Sequence, residues 1–162
     1  MQLENSRTFT ITDEGKKVIQ KSISSFKRSI FLVTPLFILV NYLIAYRVVY
    51  DSVSIANTAF WLVFIPLSII SSFFTIFFPL KAINRYQSIV AVINQTNDYI
   101  EIISYSGDKI VLSRELYKIN LDHFRLKNQL SESIMICNQN KSYSIVESLF
   151  KEYSVIKAIM FE

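Results

Sequence analysis

The sequence predicts an integral membrane protein in which an α-helical hairpin is joined to a small α+β domain. Two observations predict the hairpin: 51% of the 162 residues are hydrophobic while 19% are charged, and two long uncharged segments lie close together in the first half. A third observation predicts the domain. The second half alternates short apolar stretches with turn-forming residues and ends in a stretch of helical period.

The two uncharged segments span residues 29–46 and 52–80. The first has 18 residues, which as a helix extend about 27 Å, close to the thickness of a hydrocarbon core. The second has 29 residues, more than one span needs, so its helix is expected at about 56–79. A Lys or Arg at the bilayer centre costs about 2.5–3.5 kcal/mol on insertion scales. The absence of charge therefore favours membrane helices over buried helices of a soluble core.

Polar residues within the two segments are expected to hold the helices together, either across the hairpin or against a partner subunit. No ionisable residue lies within the spans, so a transport pathway is the less favoured interpretation. The polar residues concerned are Asn41, Ser68, Ser71, Ser72 and Thr75.

Basic residues flank the hairpin and predict its orientation. The connecting loop carries Arg47 balanced by Asp51, whereas the outer flanks are strongly basic. Because positive flanks stay in the cytoplasm, both termini are expected on the cytoplasmic side of a bacterial inner membrane. The predicted contacts with the membrane surface are Lys16, Lys17, Lys21, Lys27, Arg28, Lys81 and Arg85.

Residues 1–28 are predicted to form a short strand followed by a basic amphipathic helix. Ile19, Ile23, Phe26 and Ile30 make an apolar stripe with helical spacing, which suits a helix lying in the headgroup layer. The alternative is a cytoplasmic extension of the first membrane helix. The strand, in "SRTFTIT", needs a sheet elsewhere in the protein to join.

Residues 81–162 are predicted to form a cytoplasmic antiparallel sheet or partly open barrel, covered by a C-terminal helix. Strands are expected in "SIVAVIN", "YIEIISY", "KIVLS", "HFRLKN", "SIMICNQ" and "SYSIV". The helix is expected in "VESLFKEYSVIKAIMF", with Ser144 and Glu147 at the spacing of a capping box. Its apolar side comprises Val146, Leu149, Phe150, Tyr153, Ile156 and Met160.

The layout of the chain resembles the YcxB-like family of bacterial membrane proteins. The resemblance is carried by "FTITDEG", by "YIEIISYSGDKIVLSRELYKI" and by "SIMICNQNKSYSIVESLF". It implies a pleckstrin-homology-like soluble domain and no catalytic residues. The chain departs from the family pattern at Leu116 or Tyr117, where the family usually has tryptophan, and at Val146, where it usually has proline.

The composition excludes several kinds of site. With two glycines the chain has no phosphate-binding loop, and one cysteine with one histidine provides neither a structural zinc site nor an intrachain disulfide. His123 is interpreted as an ordinary histidine and Cys137 as a small core residue. No catalytic, cofactor-binding or metal-binding residue is predicted.

A headgroup site at Arg125, Lys127 and Lys141 is one possibility, and a plain basic surface facing an anionic leaflet is the preferred one. The carboxylates Glu101, Asp108, Glu115 and Asp122 are interpreted as parts of solvated faces.

Three functions are compatible with these features. The first is a non-enzymatic inner-membrane protein whose cytoplasmic domain binds a protein partner, as an accessory or regulatory subunit of a larger complex. The second is an immunity protein that neutralises a membrane-acting toxin. The third, an enzyme, lacks a recognisable metal, nucleophile or cofactor motif. Expected partners are membrane lipids and a protein or second copy of the chain, with no nucleic acid, small-molecule substrate or cofactor.

Overall fold

The fold is taken from a computed structural model, which describes residues 6–50, 56–96, 99–112, 117–126, 129–137 and 141–161. The helices are α1 (Asp13–Tyr50), α2 (Ala56–Ser72), a π-helical segment (Phe73–Phe77), α3 (Phe78–Gln87), a 3₁₀ turn (Glu147–Leu149) and α4 (Tyr153–Phe161). The strands are β1 (Arg7–Thr10), β2 (Val90–Gln95), β3 (Ile100–Ser104), β4 (Lys109–Leu112), β5 (Lys118–Leu126), β6 (Gln129–Cys137) and β7 (Ser142–Val146).

The chain divides into two compact units. One comprises residues 23–84, the helical hairpin, and the other combines residues 1–22 with residues 85–162, here called the β-domain. This differs from the three-part division expected from the sequence, because the first 22 residues belong to the β-domain. The difference arises because β1 pairs with β2 and the start of α1 packs in the same core.

Helix α1 is one unbroken helix of 38 residues. The expected separate helix in the headgroup layer is therefore not present; the amphipathic segment is a direct extension of the first apolar helix. The apolar stripe serves the β-domain at its beginning, where Ile19 is completely buried. This part of the stripe packs in a protein core. Sequence spacing alone cannot distinguish a helix face that packs in a protein core from one that contacts lipid.

Helix α1 begins at a well-defined cap. The backbone N–H of Gly15 donates to the Thr12 hydroxyl at 3.0 Å, and Asp13 and Glu14 lie in the first turn. The hydroxyl satisfies one of the N–H groups that a helix start leaves without an intrahelical partner, and the two carboxylates suit the positive end of the helix dipole.

The second arm of the hairpin, predicted at about 56–79, begins at Ala56 and continues through the π-helical segment into α3, which ends at Gln87. Pro79 lacks the N–H that would reach back to residue 75, and its ring crowds that carbonyl. The wider π turn at Phe73–Phe77 ends two residues before this proline and accommodates the lost bond.

The β-domain contains two antiparallel sheets, one with the order β1-β2-β3-β4 and one with the order β5-β6-β7. The predicted N-terminal strand is confirmed, with Arg7 opposite Gln95 and Thr10 opposite Val92. A parallel bridge between Ile89 and Ser144 joins the two sheets at one corner. The expected small antiparallel domain is thus confirmed as two sheets followed by a C-terminal helix.

The core of the β-domain is built mainly from β-branched residues on the inner faces of the strands. These side chains suit a pleated surface, and each contributes about 1.5–3 kcal/mol when fully buried. The completely buried ones on strands are Val90, Ile102, Ile134, Ile136, Ile145 and Val146; Ile19 of α1 and Ile89, just before β2, are also completely buried.

The C-terminal helix is shorter than predicted. Ser144 lies in β7 opposite Met135, and a 3₁₀ turn follows, so the expected capping box is not formed and α4 begins at Tyr153. The six apolar residues expected on one side of that helix are nevertheless all buried. Strand pairing determines the backbone conformation of the first half of the segment predicted to be helical. Ser144 pairs with Met135 of β6, and this pairing overrides the local preference for helix.

Candidate protein-binding edge and membrane-facing residues

Two helical stretches, Asp13–Val49 and Thr58–Gln87, are long and apolar enough to cross a membrane. Within their most apolar windows, only 17% and 6% of residues are buried inside the protein. A core helix of a soluble domain would be mostly covered. These helices instead present side chains such as Phe31, Leu62 and Ile69 outward, each more than 60% exposed.

Polar side chains connect the two arms of the hairpin. The Asn41 amide donates to the Ser71 hydroxyl at 2.6 Å in a buried position, and the Ser71 hydroxyl donates to the Leu67 carbonyl at 2.8 Å. The hydroxyls of Thr34 and Thr75 are bonded at 3.1 Å. These contacts confirm that Asn41, Ser71 and Thr75 bond across the helix pair.

Of the other two residues in this set, Ser68 departs from the expectation, whereas for Ser72 the bond stays a prediction. The Ser68 hydroxyl is buried without a hydrogen-bond partner among the described residues, and Ser72 is half-buried. Thr34 was missed by sequence reasoning, because threonine is common in membrane helices and its partner is 41 residues away.

The seven basic residues expected at the membrane surface are all exposed. Lys16 forms an ion pair with Asp13 at 3.4 Å. The guanidinium of Arg85 lies over the Phe124 ring, with its carbon 4.5 Å from the ring centre. Part of this predicted set therefore has contacts within the β-domain; its contact with lipid stays a prediction.

The outer edge of β1 borders a groove of about 320 Å³ within the β-domain. The opposite wall is formed by Phe150, Lys151 and Glu152, which connect the 3₁₀ turn to α4. Sequence reasoning placed β1 in a sheet but not this groove, because the segments that form it are some 140 residues apart.

At the corner between the two sheets, Lys141 donates to Asp108 at 3.1 Å. Gly107 makes this turn possible, since its φ of 93° is a conformation that side chains disfavour. The hydrogen bond with Asp108 raises the pKa of Lys141, and burial raises the pKa of the neighbouring Tyr143. The pair joins the β3–β4 turn to the beginning of β7.

The suggested headgroup site is not assembled by the described residues. Arg125 stands opposite Leu130 at one end of the β5–β6 pair. Lys141 lies near the other end, where Cys137 pairs with both Lys118 and Ser142, the residue after Lys141. Seven residue steps along β5 separate the ends by about 23 Å. Lys127 lies outside the described residues.

Glu132 on β6 joins α4 to the sheet and was not singled out from the sequence. It accepts hydrogen bonds from Lys157 at 2.7 Å and Tyr153 at 3.2 Å. The hydrogen bond from Lys157 is the main reason that the pKa of Glu132 is lowered, and burial raises the pKa of Tyr153. Cross-strand pairing places His123 beside Glu132.

The other residues considered for chemistry serve the fold or are exposed. His123 is exposed, and Asp122 accepts a hydrogen bond from the next backbone N–H at 2.8 Å. Cys137 is half-buried at the end of β6, not in the core as expected, because the strand ends there. Glu101 accepts from Asn94 at 2.8 Å, and Glu115 lies outside the described residues.

Among the described residues, no group of three or more His, Cys, Asp or Glu side chains is arranged to hold a metal ion. Comparison with known proteins gives no match to a family model, a curated protein or a solved structure. The YcxB-like resemblance therefore stays a prediction. What defines the molecule is a pair of outward-facing apolar helices and a two-sheet domain with an accessible strand edge.

Proposed function

We propose that the protein is a non-enzymatic protein of the bacterial inner membrane, whose cytoplasmic β-domain binds a protein partner as an accessory or regulatory subunit of a larger membrane complex. The observation that carries the proposal is the exposure of the two apolar windows, of which 17% and 6% is buried within the chain. Surfaces of this kind are stable in lipid or against other membrane helices and unfavourable in water.

The two chain segments that form the β-domain support the orientation that the flanking charges predict. Residues 1–22 and 85–162 fold together, so both ends of the hairpin lead into one domain. A domain that joins both ends needs them on the same side of the membrane, which a two-span hairpin provides. The positive flanks, among them Lys27, Arg28 and Lys81, favour the cytoplasmic side.

The described polar groups support a binding role over catalysis. Glu132 is held by Lys157 and Tyr153, Asp108 is held by Lys141, and Asp122 accepts from the adjacent backbone. These contacts tie α4 to β6 and one turn to another. Each thereby has a structural explanation that does not call for a substrate.

We also propose the finer fold, a pleckstrin-homology-like domain in a YcxB-like chain. Support comes from the two antiparallel sheets followed by α4 and from the pairing of the N-terminal strand with the domain beyond the hairpin. An experimental structure of the full chain, superposed on pleckstrin-homology domains, tests this proposal. A different strand connectivity would reject it.

The function is tested by purifying the protein, at its native expression level, from membranes in a mild detergent. We expect a second protein at fixed stoichiometry that remains through size-exclusion chromatography. Recovery of the chain alone from intact membranes rejects the accessory-subunit proposal.

Orientation is tested separately in a Cys137→Ser background. Single cysteines at Ser154 in α4 and at Ser54, between α1 and α2 in the sequence, are exposed to a membrane-impermeant maleimide added from the periplasmic side. We expect labelling at position 54 and not at 154 in intact cells, with both labelled after lysis. The reverse pattern contradicts the cytoplasmic placement.

A further inference from the structure

The outer edge of β1 has main-chain groups that the sheet does not use. Phe9 stands opposite Ile93, and the Ile11 N–H donates to the Ala91 carbonyl at 3.0 Å. In an antiparallel ladder, successive residues alternate between bonding the neighbouring strand and pointing away from it. The N–H and C=O groups of Thr8 and Thr10 therefore point away from β2, where no other described strand pairs with them.

One position on this outer side is already occupied by the chain itself. The Thr12 N–H donates to the Leu149 carbonyl at 2.9 Å. This bond shows that a main-chain carbonyl, here from the end of the 3₁₀ turn, is accepted on the outer side of β1 at the residue where the strand leads into α1. Beyond it, the groove of about 320 Å³ continues along Thr10 and Thr8.

The walls of the groove indicate which side chains it suits. Its inner side includes the largely buried Phe9, Ile11 and Phe150, so an apolar side chain entering there meets a small apolar surface within a lining that is mostly polar. Its outer side has the threonines of β1, which are exposed. A segment with alternating apolar and polar residues matches both sides, because side chains alternate along a strand.

The charges around the groove are balanced. Lys16 is paired with Asp13 at 3.4 Å, and Lys151 and Glu152, of opposite sign, stand on the opposite wall. A strongly acidic or basic segment gains little from such a site. The edge of β5 differs, since it carries Lys118, Asp122 and Arg125, and charges on an edge strand disfavour pairing with another chain.

We propose that the β1 edge binds an extended, uncharged segment of a partner protein, with alternating apolar and polar residues, which adds as a further strand through the main chain of Thr8 and Thr10. The inference rests on the proposed function, since it locates the protein-binding site of the β-domain. Strand addition of this kind derives its affinity from main-chain hydrogen bonds and its specificity from the alternate side chains.

The main-chain contribution is isolated by two substitutions at one residue. Thr10→Pro removes an N–H that points away from β2 and leaves the bonds to β2 intact. Proline is tolerated at such a position because the missing N–H lies on the outer side of an edge strand. Thr10→Val removes the hydroxyl but keeps the N–H and the branched shape. The probe is a phage-displayed library of uncharged octapeptides alternating Val or Ile with Thr or Ser, and its control is a library of the same composition without alternation.

Binding is measured on the full-length protein in detergent micelles. We expect enrichment from the alternating library, with affinity lowered about tenfold by Thr10→Pro, equivalent to about 1.4 kcal/mol, and little changed by Thr10→Val. Hydrogen exchange of the wild type should show new protection at the Thr8 and Thr10 amides when peptide is bound. This readout stands even if Thr10→Pro does not fold, which circular dichroism reveals.

Three results of the binding experiments overturn the inference: equal enrichment from the two libraries, unchanged binding by a folded Thr10→Pro variant, or protection confined to β5. A fourth is a disulfide between two copies of a Thr8→Cys, Cys137→Ser variant, because that result assigns the edge to self-association.

Purification from native membranes separates the two proposals. If wild type and Thr10→Pro retain the same stoichiometric partner, the edge is not the site while the accessory role stands. If wild type retains none, the accessory role fails.

Discussion

The guanidinium of Arg85 lies over the ring of Phe124, with 4.5 Å between its carbon and the ring centre. Phe124 is buried and also meets Tyr86 edge to face at 5.9 Å. The contact connects the residue that follows the hairpin to β5, one of the long strands of the second sheet. Arg85, a cation expected at the lipid headgroups, therefore has a partner within the β-domain.

Replacing Arg85 by Gln removes the charge above the ring. A cation–π contact at an exposed site contributes about 0.5–1 kcal/mol, so the melting temperature of the β-domain should fall by roughly 2–8 °C. Circular dichroism in detergent measures this change. The matched control is Lys81→Gln, which removes a charge four residues earlier and should have a smaller effect; equal losses would mean that the ring contact contributes nothing.

Gly15 is tightly enclosed at the beginning of α1. A Cβ at this position would lie 3.0 Å from the Leu149 Cδ2 and 3.1 Å from the Thr12 Oγ1. Alanine gains about 1 kcal/mol over glycine within a helix, but forcing atoms into a packed site costs about 1–3 kcal/mol. Because Leu149 is 2% exposed and has little room to move, we expect Gly15→Ala to be neutral or destabilising by up to about 2 kcal/mol.

A double-mutant cycle assigns that cost to Leu149. In a Leu149→Ala background the nearer of the two crowding atoms is absent and the Thr12 Oγ1 remains, so Gly15→Ala should become less destabilising or stabilising. Urea unfolding of the four proteins, followed by circular dichroism, measures the sign. The same effect of Gly15→Ala in both backgrounds would show that Leu149 does not cause the strain.

The features that depend on local pattern were predictable from the sequence. The uncharged segments predicted the two long apolar helices, and strand "SYSIV" was predicted with the bounds that β7 has. Alternation and turn residues also located β2, β3 and β4 to within two residues at each end. Periodicity indicates which side chains avoid water. Because these segments are short and bounded by turn-forming residues, the ends of the strands could also be located.

The features that depend on distant partners were not predictable. The residues from Val146 to Phe150 have the spacing of an apolar helix face, yet the ladder with β6 and the Leu149 bond to Thr12 give them another backbone conformation. The β1 groove, the Arg85–Phe124 contact and the Glu132 cluster all join segments whose proximity follows from the folded sheets. A single sequence contains no local signal for such contacts.

The Glu132 cluster predicts a pH dependence of stability. The hydrogen bond from Lys157 lowers the pKa of Glu132 in the folded protein below its ordinary value of 4.5. The stability gained from the charged carboxylate is therefore complete above pH 4.5 and is lost as the pH falls through the folded value. We expect the melting temperature to decrease below pH 4.5 and the decrease to be smaller in Glu132→Gln.

The control for this profile is Lys157→Met, which removes the donor while leaving the carboxyl in place. It should reduce the acid-dependent loss in the same way, and the double variant should show no further change, because both substitutions act on one interaction. Independent, additive effects on the acid limb would contradict a coupled pair. The exposed ion pair Lys16–Asp13 is expected to contribute little to the profile.

The Asn41–Ser71 bond predicts how the hairpin is stabilised. Its two atoms are 2.6 Å apart and buried between the helices. Hydrogen bonds between membrane helices average about 0.6 kcal/mol, with a maximum near 1.7, because the unfolded chain in lipid also finds partners. We expect Asn41→Leu and Ser71→Ala to be individually destabilising in an SDS unfolding titration, with a coupling of about 0.6 kcal/mol in the double variant. Ser72→Ala, one residue away, is the matched control and should show no coupling to Asn41→Leu. If the coupling at Ser72 equals that at Ser71, the measured energy reflects general helix packing and not this hydrogen bond.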